Sequence, residues 1–147
     1  MKILVINGPN INFLGIREKD IYGSKDYEFL KESIQDKADL LGIDVELYQS
    51  NSEGAIIDRI QLAYHENVDG IVINPGGLTH TSVSLHDALA SVADIPKIEV
   101  HISNINSRED FRKNSITAGA CQGQISGLGI NGYLYAMEAI CDILALS

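Results

Sequence analysis

Hydrophobic runs and amphipathic stretches alternate along the chain. A short continuous run of aliphatic residues is typical of a strand buried on both faces, whereas apolar residues three or four positions apart indicate a helix. The first pattern predicts strands at 2–7, 43–48, 70–74 and 97–102, and a weaker, glycine-interrupted one at 124–129. The second predicts helices at 26–41, around 56–64, at 82–93 and at 133–146.

This order of elements predicts the architecture. Strands that alternate with helices form a parallel sheet covered on both faces, because right-handed crossovers place the helices there. We expect a flavodoxin-like, three-layer α/β/α fold with five parallel strands in the order 2-1-3-4-5. A length of 147 residues favours a single domain, 1–147. In such a sheet, ligands bind beyond the carboxyl ends of the strands, near strands one and three.

The fourth predicted strand carries two ionisable residues on one face. Ile98, Val100 and Ile102 alternate along it with Glu99 and His101. Because successive strand side chains point to opposite faces, Glu99 and His101 lie side by side. We therefore expect Glu99 to orient the imidazole ring of His101 at the carboxyl edge of the sheet.

Composition and charge exclude several partners. A formal net charge of -9 argues against DNA or RNA, whose binding needs a cationic surface. The start at Met1 lacks the pattern of a secretory signal, and no stretch has the roughly 20 apolar residues of a membrane helix, so we expect a cytoplasmic protein without membrane contact. Cys121 and Cys141 lie far apart and predict neither a disulfide framework nor a metal site.

The loops after strands one, three and four suggest acid–base chemistry. They hold a tyrosine (Tyr22), two histidines and three arginines, but no carboxylate cluster for Mg²⁺ at the strand ends. The glycine-rich phosphate loops of dinucleotide and ATP sites are absent, as is the GxSxG turn of serine hydrolases. Acid–base chemistry remains, and we expect no cofactor.

Several blocks of sequence carry a family resemblance. They are NGPNIN at 7–12, LGIRE at 14–18 with Tyr22, NPG at 74–76, THTS at 79–82, EVHISN at 99–104 and REDFR at 108–112. Together, in this order, they resemble the type II 3-dehydroquinate dehydratases. The chain departs from the usual pattern at Gly77-Leu78, where an Ala-Tyr pair is common, at Lys19-Asp20, which lacks a proline, and at Asn106-Ser107, where His-Ala is common.

The resemblance implies a role for each matching residue. It implies that Tyr22 is the base, Arg17 its activator and His101 the acid, while Asn10 steadies an enolate through a water molecule. The substrate contacts that it implies are Asn74, His80, Asp87, Arg112 and the backbone of Ile102 and Ser103. It also implies anti elimination of water from 3-dehydroquinate in the shikimate pathway, and trimers grouped into a dodecamer in which Asp87 completes a neighbour's site.

The residue types suit this chemistry. A tyrosine with a pKa of about 10 needs a nearby cation to act as a base at neutral pH, and Arg17 lies five residues before Tyr22. Histidine is the side chain whose pKa lies nearest to neutrality, which suits His101 to protonate a leaving hydroxyl. No lysine is placed to form a Schiff base, as the other dehydratase class would need.

Two alternatives remain open. The chain could be a non-catalytic flavodoxin-like module that holds a flavin or another anion at the same edge, or a structural component of an oligomer. The many ionisable groups in the loops argue against a scaffold. The sequence also leaves open whether the pathway is biosynthetic or consumes quinate.

Overall fold

The computed structural model of the chain describes residues 1–16 and 25–147. The strands in these ranges are β1 (Lys2–Asn7), β2 (Asp44–Gln49), β3 (Gly70–Asn74), β4 (Lys97–His101) and β5 (Gly123–Ser126). The α-helices are α1 (Tyr27–Leu41), α2 (Glu53–His65), α3 (Val83–Ser91) and α4 (Asn131–Ala145). None of the helices in the described ranges is both long and apolar enough to span a bilayer.

The strands form one parallel sheet in the order β2-β1-β3-β4-β5. This confirms the predicted flavodoxin-like order and fold class. β1 pairs with β2 on one side and with β3 on the other, so the strand order reverses at β1. Asn7 and Asn74, the last residues of β1 and β3, are register partners at this point.

Helices cover both faces of the sheet. On one face, α1 and α4 pack against Ile3, Val5, Val72 and the face of β4 that carries Ile98 and Val100. On the other, α2 and α3 pack against Leu4, Ile6, Ile71 and Ile73. The side chains of Asp26, Ser52 and Ser82 accept a backbone N–H in the first turns of α1, α2 and α3, which fixes where these helices begin.

Several predicted bounds differ from the observed ones: β2 is shifted by one residue, β4 ends one residue earlier, and three further elements show differences with a clear physical cause. β5 ends at Ser126 rather than Gly129, because Gly127 and Gly129 take positive φ angles and turn the chain. Their amides still donate to the carbonyls of His101, at the end of β4, and of Ile102, just beyond it. α3 ends at Ser91 rather than Ala93, and the buried Lys97 Nζ donates to the Val92 and Ile95 carbonyls just beyond it.

The third difference lies in the C-terminal helix. α4 begins at Asn131, two residues before the predicted start, and Tyr133 and Ala136 on its inner face are fully buried. Cys141 and Leu144, which the helical spacing places on the same side as Met137 and Ile140, are only partly buried. The buried face of α4 therefore includes Tyr133, which lies against the sheet and contacts Asn7 and Asn74 at the ends of β1 and β3.

Candidate active site

A cavity of about 170 Å³ lies beyond the carboxyl ends of β1, β3 and β4. Its position at the reversal of strand order is the one that the sequence predicts. The following residues expected at the site line it: Asn10, Asn74, His80, His101, Ile102, Ser103 and Arg112. Glu99 lies behind His101, while Arg17 and Tyr22 fall outside the described residues.

His101 is held by a buried carboxylate. It is the last residue of β4 and is only 5% exposed, and its Nε2 lies 2.9 Å from Oε2 of the fully buried Glu99. A carboxylate can only accept, so Nε2 carries the hydrogen of this bond. The other ring nitrogen, Nδ1, is therefore the one that can exchange a proton with a ligand in the cavity.

Glu99 receives three further hydrogen bonds. Ser115 Oγ and Gln124 Nε2 each donate to Oε2 over 2.8 Å, and Thr117 Oγ1 donates to Oε1. Burial opposes ionisation, but the bonds from His101, Thr117 and Ser115 outweigh it and hold the pKa of Glu99 below its usual range. Glu99 is thus a carboxylate at neutral pH.

His80, on the loop after β3, is also fixed through one nitrogen. Its Nδ1 lies 2.8 Å from the carbonyl oxygen of Asn114, which can only accept, so Nδ1 is the donor. The ring stands edge-on to Phe111, with 6.1 Å between the ring centres. Both histidines of the cavity therefore have one nitrogen bonded within the protein.

Two arginines bring positive charge to the cavity. Arg112 donates from Nε to Glu109 over 3.1 Å and lies 4.7 Å from the centre of the Phe111 ring. Arg108 donates to Ser103 Oγ over 3.3 Å. Both line the cavity, although the chain as a whole carries a net charge of -9. The site is therefore suited to a small anion such as a carboxylate.

Asn74 is held by a residue that the sequence analysis did not identify. The hydroxyl of Tyr133, on α4, accepts from Asn74 Nδ2 over 2.8 Å and donates to Asn7 Oδ1 over 2.7 Å. Asn74 Oδ1 also accepts from the Gly76 amide at 3.1 Å. All three side chains of this network are buried, and Asn74 alone lines the cavity. Its amide therefore meets a ligand in one fixed orientation.

Removing this hydroxyl is expected to destabilise the fold. Tyr133→Phe leaves the amides of Asn7 and Asn74 without the partner that they share, so the free energy of unfolding should fall by roughly 2–4 kcal/mol. Denaturant titration measures it. Tyr135→Phe is the matched control on the same helix, at a half-exposed position, and should change stability by less than about 0.5 kcal/mol. Equal effects of the two substitutions would contradict the network's role.

The loops after β1 and β3 meet backbone to backbone. A Cβ atom at Gly8 would lie 2.4 Å from the Pro75 carbonyl oxygen, and one at Gly76 would lie 2.8 Å from that of Pro9. Gly76 also has a φ of +61°, which disfavours any other residue. At Gly77, by contrast, a Cβ atom would meet no described atom within 4 Å, so packing against the described residues does not require glycine there.

Asp87 does not lie at this cavity. It is on α3 with its side chain 73% exposed, beside His86 Nδ1 at 3.2 Å. A single chain therefore does not bring Asp87 to the other site residues. Its expected contribution to the site of a neighbouring copy stays a prediction.

The ionisable side chains bear on two other kinds of chemistry, metal ligation and cysteine nucleophilicity. Across 1–16 and 25–147, no three His, Cys, Asp or Glu side chains converge where they could hold a metal ion. Burial, with a smaller effect of the nearby Glu99, raises the pKa of Cys121 to about 12. The Cys121 thiol is thus protonated at neutral pH and is a poor nucleophile.

Comparisons with known proteins agree on one family. The model of the dehydroquinase class II family matches residues 1–141. A 3-dehydroquinate dehydratase from Lachnospira eligens is 67% identical over 97% of both chains, and one from Lachnoclostridium phytofermentans is 61% identical over 97% of this chain and 98% of its own. The crystal structure of a type II dehydroquinase from Butyrivibrio crossotus superposes with a TM-score of 0.94, at 60% identity over 96% of this chain and 97% of its own.

Proposed function

The chain belongs to the dehydroquinase class II family, and from that premise we propose that it dehydrates 3-dehydroquinate to 3-dehydroshikimate in the shikimate pathway. The observation that carries the proposal is the pair of Glu99 and His101 at the cavity. It supplies a proton donor whose orientation is fixed by a buried carboxylate. The residues 1–147 act as one domain, in the cytoplasm and without a cofactor.

Elimination begins with removal of a proton from the carbon between the ketone and the carbon that bears the hydroxyl. Tyr22 is the proposed base, and the Arg17 guanidinium favours its phenolate form, because a nearby cation stabilises the anion. Both residues take this role from the family resemblance. The electron pair moves to the ketone oxygen and forms an enolate, which Asn10 stabilises through a held water molecule.

The hydroxyl then leaves as water. Protonated His101 donates from Nδ1 to the hydroxyl oxygen, and the enolate collapses to the conjugated enone. The proton lost to Tyr22 and the hydroxyl lie on opposite faces of the ring, which makes the elimination anti. No lysine of the described residues lines the cavity, which supports a route without a Schiff base.

The substrate is held by groups that the cavity presents. Its carboxylate meets the backbone amides of Ile102 and Ser103, and Arg112 binds the carboxylate or a ring oxygen. Asn74 and His80 contact the ring hydroxyls. Their orientation is supported by the bond that Asn74 donates to the Tyr133 hydroxyl and by the bond that His80 donates to the Asn114 carbonyl. We further propose a dodecamer built from trimers, in which Asp87 of a neighbouring copy completes the site.

A turnover assay tests the proposal. Purified protein with 3-dehydroquinate, without added metal or cofactor, should produce the ultraviolet absorbance of the conjugated enone. Treatment with borohydride in the presence of substrate should leave activity and protein mass unchanged, since there is no imine to reduce. Substrate deuterated at the position anti to the hydroxyl should lose its label.

The results of these assays distinguish the proposed dehydratase from the alternatives. A folded protein that does not turn over 3-dehydroquinate would overturn the proposal, and a yellow protein or a retained nucleotide would then favour the flavin- or anion-binding module. Inactivation by borohydride with covalent addition of the substrate's mass would show that the reaction passes through an imine. Loss of the syn label instead would exclude anti elimination.

A further inference from the structure

The carboxylate of Glu99 accepts four hydrogen bonds. Its Oε2 accepts from His101, Ser115 and Gln124, and its Oε1 accepts from Thr117. Hydrogen bonds to an ionised acceptor are stronger than those to a neutral one, so protonation of Glu99 would weaken all four contacts. The surrounding hydroxyl and amide groups therefore favour the ionised form.

The two hydroxyl donors belong to one short segment that also contacts His80. Asn114, at its start, provides the carbonyl that accepts from His80 Nδ1. The Ile116 amide donates to the Thr79 carbonyl over 2.7 Å, and the Thr79 hydroxyl lies 2.9 Å from Ser115 Oγ and 2.7 Å from Thr117 Oγ1. The segment 114–117 thus connects the loop of His80 to the carboxylate behind His101.

We propose that Ser115 and Thr117 are positioning residues for the dehydration reaction, whose hydroxyls keep Glu99 in the state that directs Nδ1 of His101 into the cavity. This inference rests on the proposed function, because it assigns the two residues to the proton donor of that reaction. Neither hydroxyl belongs to a residue that lines the cavity, so each acts on the substrate only through Glu99 and His101.

The neighbouring titratable groups leave this assignment unchanged. Within 1–16 and 25–147, the ionisable residues found to interact with Glu99 are His101 and Cys121. The Cys121 thiol stays protonated at neutral pH, since burial raises its pKa to about 12. The state of Glu99 near neutrality therefore depends on its donors and on His101.

The decisive variants separate the hydroxyl from the shape of the side chain. Thr117→Val keeps the β-branched shape and removes the donor, and it should lower kcat about tenfold while KM stays within about twofold. KM is spared because the proposed substrate-binding residues are unchanged and the bond that orients His80, to the Asn114 carbonyl, remains. Thr117→Ser restores a hydroxyl and should return kcat to within about twofold of the wild type. Ser115→Ala should behave as Thr117→Val does.

A matched control lies elsewhere in the chain. Ser82 Oγ donates to the Glu53 carboxylate and accepts from the Leu85 amide, as Ser115 Oγ donates to Glu99 and accepts from the Ala118 amide. Ser82→Ala removes the same pair of bonds away from Glu99. It should lower the Tm, because it uncaps α3, and leave kcat within about twofold.

Steady-state kinetics of the folded variants test the positioning role of Ser115 and Thr117. A Thr117→Val variant with wild-type kcat, a rise in KM in place of the fall in kcat, or an equal loss in Ser82→Ala would each overturn the inference. If Thr117→Val does not fold, Ser115→Ala decides by the same criteria. Wild-type turnover is the reference for every variant. If the wild type does not turn over 3-dehydroquinate, the proposed function and this inference are both overturned. If the wild type is active and the variants match it, this inference alone is overturned.

Discussion

His101→Ala is expected to lower kcat for 3-dehydroquinate by about 10²- to 10⁴-fold, the contribution typical of a positioned general acid. The substitution removes the only histidine that contacts Glu99 among the described residues, and the hydroxyl must then leave without a proton from Nδ1. Ile102 and Ser103, whose backbone is proposed to bind the substrate, keep their place at the cavity. KM should therefore change much less than kcat, and steady-state kinetics with the enone absorbance measure both.

The matched control for this variant is His65→Ala. His65 ends α2, where its ring packs edge-on against Tyr64, and it does not line the cavity. Its removal should leave kcat within about twofold. If His101→Ala keeps wild-type kcat, the proton of the leaving hydroxyl comes from another group, and His80 is the next candidate because its Nδ1 is already bonded to Asn114 and its Nε2 remains for a ligand.

Tyr22→Phe is expected to have an effect of the same size, a loss of about 10²- to 10⁴-fold in kcat, because it removes the proposed base. The substitution keeps the aromatic ring and removes only the hydroxyl, so substrate binding should persist. The loss should appear in the first step, and the deuterated substrate should retain its label in the presence of the variant. Mass spectrometry of recovered substrate measures this directly.

Tyr64→Phe provides the control for the loss of a tyrosine hydroxyl. Tyr64 lies on α2 with 58% of its surface exposed and away from the cavity, and its substitution should leave turnover within about twofold. A Tyr22→Phe variant that still exchanges the label at the wild-type rate would show that another residue is the base. The role of Arg17 as activator would then be withdrawn as well.

Much of the fold can be predicted from the hydrophobic pattern. β1 and β3 have the predicted bounds, because each is a continuous aliphatic run that a Gly-Pro or Pro-Gly pair ends. The pattern fails where backbone geometry decides. The positive φ angles of Gly127 and Gly129 end β5 although their amides still bond to His101 and Ile102, and a hydrophobic period does not predict such a turn.

In the candidate site too, some contacts can be predicted from the sequence and others cannot. The alternation of Glu99 and His101 along β4 predicts their contact, since the period of a strand is fixed. Ser115 and Thr117 were missed because they lie in an irregular segment, 16 and 18 residues from Glu99, where no periodicity relates sequence to position. Tyr133 was missed for a different reason: within a helical pattern its aromatic ring predicts burial and says nothing of its hydroxyl.

The backbone contact between the loops after β1 and β3 also determines where the enzyme can be redesigned. Gly8 and Gly76 admit no side chain, so a library that varies them would consist largely of misfolded members. Gly77 is next to this contact, lines the cavity and has open space around its Cβ position within the described residues. We therefore expect that a side chain introduced to alter the substrate range would be tolerated at Gly77 and not at Gly8 or Gly76.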